Sequence, residues 1–156
     1  MALYTPHWYY LNVKKFIIGV DEAGRGPLAG PIAVAVVSAK YDAKKNGRLF
    51  NGIRDSKRFS EKQREEWFER LKSLKNKKII DYAVSFSSAK VIDEKGIIIA
   101  TRRALSRAMR KLGLSPQKCK VLLDGTLYAP DEYINQKTII HGDDKVLIIG
   151  AASIVA

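Results

Sequence analysis

Cysteine occurs once in these 156 residues, at Cys119, and histidine twice, at His7 and His141. A single cysteine excludes an intrachain disulfide and a cysteine-based zinc site. Cys119 opens the largely apolar run 119–123 and reads as a small buried hydrophobe. The histidines show no ligand spacing, and no Ser-His-Asp or Cys-His order suggests a nucleophile. Residues 1–15 lack the basic start and continuous apolar stretch of a signal peptide. No apolar run reaches the ~20 residues needed to cross a bilayer. The expectation is a cytoplasmic protein with no membrane partner. Internal repeats, low-complexity tracts and linkers are absent as well, so the length fits one domain.

Acid is scarce relative to base. Sixteen Asp and Glu face 28 Lys and Arg, a net charge of +12. Apolar residues at 46% make the chain globular, so this charge decorates a folded surface. Such an excess draws polyanions, and nucleic acid is the leading candidate. A merely solubilising surface is the plainer alternative. Tyr4, Trp8, Tyr9 and Tyr10 precede Lys14 and Lys15 in an N-terminal extension, residues 1–15. These aromatics would either stack on bases or pack on the domain, and packing is favoured.

Phe16–Val20 and Pro31–Val37 are strand-length apolar runs and read as neighbours in one sheet. Residues 40–52 are polar and read as a loop. Ser60-Glu61-Lys62-Gln63 fits a capping box, with Trp67, Phe68, Leu71 and Leu74 forming the buried face of the helix it starts. Lys78–Phe86 reads as a strand with Ile80, Tyr82, Val84 and Phe86 on one face. Residues 95–112 read as a helix whose apolar arc holds Ile97, Thr101, Ala104, Leu105, Ala108 and Leu112. Arg103, Arg107 and Arg110 form another arc, either a phosphate-gripping stripe or a solvated face. Lys120–Leu123 is a strand ending at Asp124-Gly125, Thr138–His141 is a short strand, and 146–156 starts a buried helix. The order of elements predicts a mixed α/β domain around one sheet.

The chemistry concentrates in residues 17–31, where an apolar strand delivers Asp21 and Glu22 onto a turn holding Gly24, Arg25 and Gly26. Converging carboxylates bind hard divalent cations through oxygen, and paired cations suit phosphodiester hydrolysis. Asp124 also ends an apolar run. If the two strands are parallel neighbours, Asp124 faces Asp21 and Glu22, and Gly125 lets the chain turn away. Taken alone, an Asp-Gly pair is more often a plain turn. The Gly24–Gly26 turn matches neither a P-loop nor a dinucleotide fingerprint. A bare glycine turn instead permits close approach to a sugar-phosphate backbone, the closeness needed to read a 2′-hydroxyl.

These segments resemble the type 2 ribonucleases H, the ribonuclease HII family. Gly19–Pro31 resembles the first family motif throughout. Asp55-Ser56-Lys57 with Phe59-Ser60-Glu61-Lys62 resembles the second, and Leu123-Asp124-Gly125 the third. Gly142-Asp143-Asp144-Lys145 with Ala151–Ala156 resembles the fourth. Arginine between the two glycines resembles type 2 and not ribonuclease HIII, where threonine is usual.

The resemblance implies a ribonuclease H-like fold, a central mixed sheet flanked by helices. It implies an endonuclease that hydrolyses the RNA strand of RNA–DNA hybrids and cuts 5′ of ribonucleotides embedded in duplex DNA. The implied cofactor is Mn2+ or Mg2+, held by the catalytic carboxylates Asp21, Glu22 and Asp124. Gly24, Arg25 and Gly26 would contact the ribonucleotide, Lys57 and Lys145 the substrate backbone, and Asp143 would lie in the outer shell. Asp144 departs from the small or neutral residue of the family.

In the family the last helix continues into Lys-Val-x-Arg-Asp, whose aspartate is a fourth catalytic carboxylate, and a later tyrosine stacks on the ribose. On this reading residues 16–156 form a type 2 domain that lacks its closing C-terminal helices. Val146, Leu147, Ile148, Ile149, Ile154 and Val155 are then expected to lose packing partners. The chain is expected to be a monomer. The alternative function is a catalytically impaired fragment that only binds nucleic acid.

Overall fold

The computed structural model describes residues 14–26, 30–53 and 58–156. Lys57, His7 and the aromatic residues 4–10 lie outside the described residues. The elements run β1 (Phe16–Ala23), β2 (Ile32–Lys40), α1 (Ala43–Leu49), α2 (Glu61–Asn76), β3 (Ile80–Ser87), α3 (Ala89–Lys95), α4 (Ile97–Leu112), β4 (Cys119–Asp124), β5 (Gln136–Ile139), α5 (Gly142–Lys145) and α6 (Leu147–Val155).

The five strands form one mixed sheet in the order β3-β2-β1-β4-β5. β1 and β2 pair antiparallel, as do β2 and β3, whereas β1–β4 and β4–β5 are parallel. Hence β1, β3, β4 and β5 all point the same way and end on the same edge of the sheet.

Alternation along the strands builds two cores. On one face Ile18, Val20, Val34, Val36, Val121 and Leu123 pack against Ala104, Leu105, Ala108 and Met109 of α4. On the other, Ala35, Val37 and Ala39 pack with Leu71 of α2 and with Ile148, Ala151 and Ala152 of α6. Both faces of β2 are therefore covered, and its first eight residues are buried. Each fully buried valine or isoleucine contributes about 1.5–3 kcal/mol, so the central strands hold the layers together. Gly19 sets how closely α6 lies on β1. A Cβ there would collide with the Ile148 carbonyl and stand 2.8 Å from the Ile149 nitrogen.

Ser60 caps α2 as expected, the Gln63 N–H donating to Ser60 Oγ at 3.2 Å and the Ser60 N–H to Gln63 Oε1 at 2.9 Å. Cys119 is buried in the first core. Four expectations are corrected. Residues 40–52 are not all loop: Asp42 accepts from the Lys45 N–H at 3.0 Å and caps α1, and the fully buried Phe50 and Ile53 anchor the far end. The helix expected from residue 95 starts at Ile97, because Gly96 ends a separate short helix, α3, capped by Ser88. Phe86 does not share the burial of Tyr82 and Val84. It lies at the far end of an edge strand and is 61% exposed.

The fourth correction concerns the arginine stripe. Arg107 donates to Ser85 Oγ at 2.9 Å, to the Phe86 carbonyl at 2.6 Å and to Ser87 Oγ at 3.3 Å. It is half-buried and its donors tie α4 to β3, whereas Arg103 and Arg110 are exposed. The apolar residues near the C-terminus are packed: Ile148, Ile149 and Val155 are buried, and Val146, Leu147 and Ile154 lie half-buried against the second core.

Candidate active site

The parallel pairing of β1 with β4 puts Val20 opposite Leu123. One residue further along each strand stand Asp21 and Asp124, the arrangement that parallel neighbours require. Gly125 then turns the chain away with φ +63°. Glu22 follows Asp21, and β1 ends at Ala23 in the turn 24–26, which is exposed. Gly24 has φ +90°, and a Cβ there would meet the Pro31 carbonyl oxygen at 2.5 Å, so glycine is required on both counts.

Asp21 is buried and accepts the Glu22 N–H at 2.7 Å on Oδ1. Glu22 Oε1 accepts from Arg25 Nη1 at 2.9 Å, while Glu22 Oε2 is buried without a hydrogen-bond partner among the described residues. Asp124 is half-buried, and its Oδ1 accepts the Gly142 N–H at 2.6 Å. That bond draws α5 against the end of β4 and places the buried Asp143 close behind the same strand ends. The Asp21 carboxyl is raised from 3.8 to about 7, first by burial and then by the charges of Asp124 and Asp143. The Glu22 N–H and a hydrogen bond with Ser153 of α6 pull it partly back. A buried carboxyl raised in this way, beside further carboxylates, is the kind of perturbed group that gathers at functional sites.

The donor chemistry fits a hard divalent cation: carboxylate oxygens from Asp21, Glu22 and Asp124, one of them buried without a partner among the described residues. Among the described residues no three such side chains are gathered around one point. The donors are thus brought together by register and are not closed into a cage.

Lys145 is exposed, and its Nζ donates to the Ile140 carbonyl at 2.7 Å, bracing the turn before α5. Asp144 is half-buried beside Asp143. Sequence reasoning missed Arg102. It lies off the 103/107/110 arc and lines a pocket of about 220 Å3 together with Arg25. The signal was available in the spacing of Ile98, Arg102 and Leu105, which share one side of α4.

A mixed sheet with carboxylates at the ends of two parallel neighbours, flanked by helices on both faces, defines an α/β domain of ribonuclease H-like fold. A family model described as Ribonuclease HII matches residues 18–156. The chain belongs to the ribonuclease HII family. It is 44% identical over 142 residues to ribonuclease HII of Caldicellulosiruptor bescii, covering 91% of this chain and 63% of that protein. It is 43% identical over 140 residues to ribonuclease HII of Endomicrobium trichonymphae, covering 90% of this chain and 61% of that protein. The crystal structure of ribonuclease H2 from Pyrococcus horikoshii OT3 matches with a TM-score of 0.71 at 31% identity, covering 90% of this chain and 70% of that one. The chain thus spans about three-fifths of the length of the two curated relatives. No helix among the described residues is long and apolar enough to cross a membrane.

Proposed function

We propose that this chain carries the carboxylate and ribose-reading part of an endonuclease that hydrolyses the RNA strand of RNA–DNA hybrids and cuts 5′ of ribonucleotides embedded in duplex DNA. The observation that carries the reading is the β1–β4 register, which sets Asp21 and Glu22 beside Asp124, next to an exposed Gly-Arg-Gly turn.

Asp21, Glu22 and Asp124 would hold Mn2+ or Mg2+. A bound divalent cation supplies charge stabilisation at the phosphate and lowers the pKa of water, which makes phosphodiester hydrolysis accessible at neutral pH. Asp21 must give up its proton to serve, and Glu22 must share its carboxylate between Arg25 and the cation. Gly24 and Gly26 keep the turn bare, so backbone N–H groups can approach a ribose and its 2′-hydroxyl. Arg25 stands exposed at the same turn and supplies a guanidinium for the adjoining phosphate. Asp143 acts from behind, through its charge on Asp21. Lys57 and Lys145 belong to this reading as contacts to the substrate backbone, and the protein works as a cytoplasmic monomer.

The test uses duplex DNA carrying one ribonucleotide and a 5′ label, incubated with Mn2+. It is run on the 156-residue chain and on the product of the whole reading frame that encodes it. The whole product is expected to nick 5′ of the ribonucleotide and leave a 3′-hydroxyl. Asp21→Asn and Asp124→Asn should each slow it by about a hundredfold or more. Unchanged rates in both variants would overturn the carboxylate assignment. A whole product that binds the duplex and never nicks it would favour the binding-only reading.

A further inference from the structure

The pocket beside the turn is built from three separate parts of the chain. Arg25 comes from the end of β1, Ile98, Arg102 and Leu105 from one side of α4, and Leu127 and Tyr128 from the segment that follows Asp124-Gly125. Its charged groups are of one sign: two guanidinium groups line it beside Thr101 and Thr126, and among the described residues no carboxylate does. Leu105 and Leu127 are buried and form an apolar floor, while Ile98 and Tyr128 are 60% and 59% exposed and form the walls. Arg102 is exposed and enters no hydrogen bond or ion pair among the described residues, in contrast to Arg107 one and a half turns along the same helix.

Two guanidinium groups, Arg25 shared with Glu22 and Arg102 exposed, over an apolar floor with one exposed aromatic wall, match a nucleotide unit. Such a unit offers a phosphate for guanidinium groups, an apolar sugar face for the floor, and a ring for tyrosine. The pocket also shares Arg25 with the Gly24–Gly26 turn and begins two residues after Asp124. A strand lying across the carboxylates therefore continues into it. We propose that this pocket is a backbone subsite for the nucleic-acid strand, holding the phosphate and sugar of a nucleotide that flanks the one at the carboxylates. Arg102 is its principal phosphate ligand and Tyr128 its stacking wall. The inference rests on the proposed function above and adds a substrate-positioning element that the carboxylates and the glycine turn do not supply.

Binding is measured by fluorescence anisotropy on the folded chain, without divalent cation, using a duplex with one ribonucleotide. Arg102→Ala should lower the slope of log affinity against log salt by about one. Tyr128→Ala should weaken binding about five- to tenfold, and Tyr128→Phe should restore it. Lys44→Ala removes the same charge from α1, near the opposite edge of the sheet, and should change neither quantity. Replacing single phosphates by neutral methylphosphonates locates the contact. One flanking position should cost wild type affinity and cost Arg102→Ala no more.

The subsite is overturned if no position shows that coupling, or if Arg102→Ala and Lys44→Ala behave alike. The two readings fail separately. A whole-frame product that nicks normally while the coupling is absent sinks the subsite alone. Coupling that persists without any nicking sinks the cleavage reading and leaves the subsite standing.

Discussion

The carboxylate of Asp124 accepts the backbone N–H of Gly142 at 2.6 Å, across 18 residues of sequence. One side chain thus ends a strand, starts a short helix and contributes charge to the candidate cation site. These roles separate by substitution. Asp124→Asn keeps an oxygen acceptor for Gly142 and should leave thermal unfolding nearly unchanged, while weakening Mn2+ binding by calorimetry. Asp124→Ala leaves the Gly142 N–H without its partner and should cost about 1–3 kcal/mol of stability besides. Equal destabilisation by both variants would show that the hydrogen bond does not organise the turn.

Asp21 predicts a pH dependence with a definite sign. Its carboxyl is raised to about 7 in the folded chain, first by burial and then by Asp124 and Asp143. Between pH 4 and 7 the folded form holds a proton that the unfolded form has released. This group's stabilisation is therefore fully present below pH 4 and is lost as pH rises through 7, at most about 1.4 kcal/mol per unit. In metal-free buffer, the urea midpoint of wild type relative to Asp21→Asn should fall from pH 5 to 7.5. On the proposed function Mn2+ competes with the same proton, so its affinity should rise with pH up to about 7 and then level off. Parallel urea curves for the two proteins would remove Asp21 as the titrating group.

Gly19 and Gly47 make a matched pair for packing. A methyl at Gly19 meets the Ile148 carbonyl, which belongs to α6 and cannot swing aside as a side-chain end could. Gly19→Ala should therefore push α6 off the sheet and cost about 1–3 kcal/mol. A methyl at Gly47, inside α1, has nothing within 4 Å. Gly47→Ala should stabilise by about 0.5–1 kcal/mol through helix propensity. Urea denaturation of the two variants gives both signs in one experiment. Because α6 also brings Ser153 to Asp21, the Gly19 variant should bind Mn2+ more weakly as well.

What was legible in the sequence follows from what is local. The strands around Val20, Val36 and Leu123 declare themselves as short apolar runs, and Ser60 and Gln63 announce the start of α2 by their own side chains. The pairing of Asp21 with Asp124 was legible as a condition: it needed parallel neighbours, and the register supplies them. Less local features were hidden. α1 depends on Asp42 for its cap but on the burial of Phe50 and Ile53 for its stability, and most of its own residues are polar, with Leu49 alone packing on the core. Phe86 follows the strand's alternation yet lies past the helices that cover Tyr82 and Val84. Arg102 and Arg107 are alike in sequence, and only the position of β3 decides that one is tied and the other free.

Arg107 carries the last prediction, because a basic helix face invites a nucleic-acid role that its contacts contradict. Its guanidinium spends its donors on Ser85, Phe86 and Ser87, at the end of an edge strand that α4 must hold against the sheet. Removing it leaves these acceptors without their charged partner, and hydrogen bonds to charged groups each contribute about 1.5–3 kcal/mol. Arg107→Ala should therefore lower the unfolding midpoint clearly. Arg107→Lys should recover part of the loss, because one ammonium cannot span two hydroxyls and a carbonyl as a planar fork does. Duplex affinity, measured well below that midpoint, should stay near the wild-type value with an unaltered salt slope. A slope lower by about one with unchanged stability would instead return Arg107 to the phosphate-binding surface.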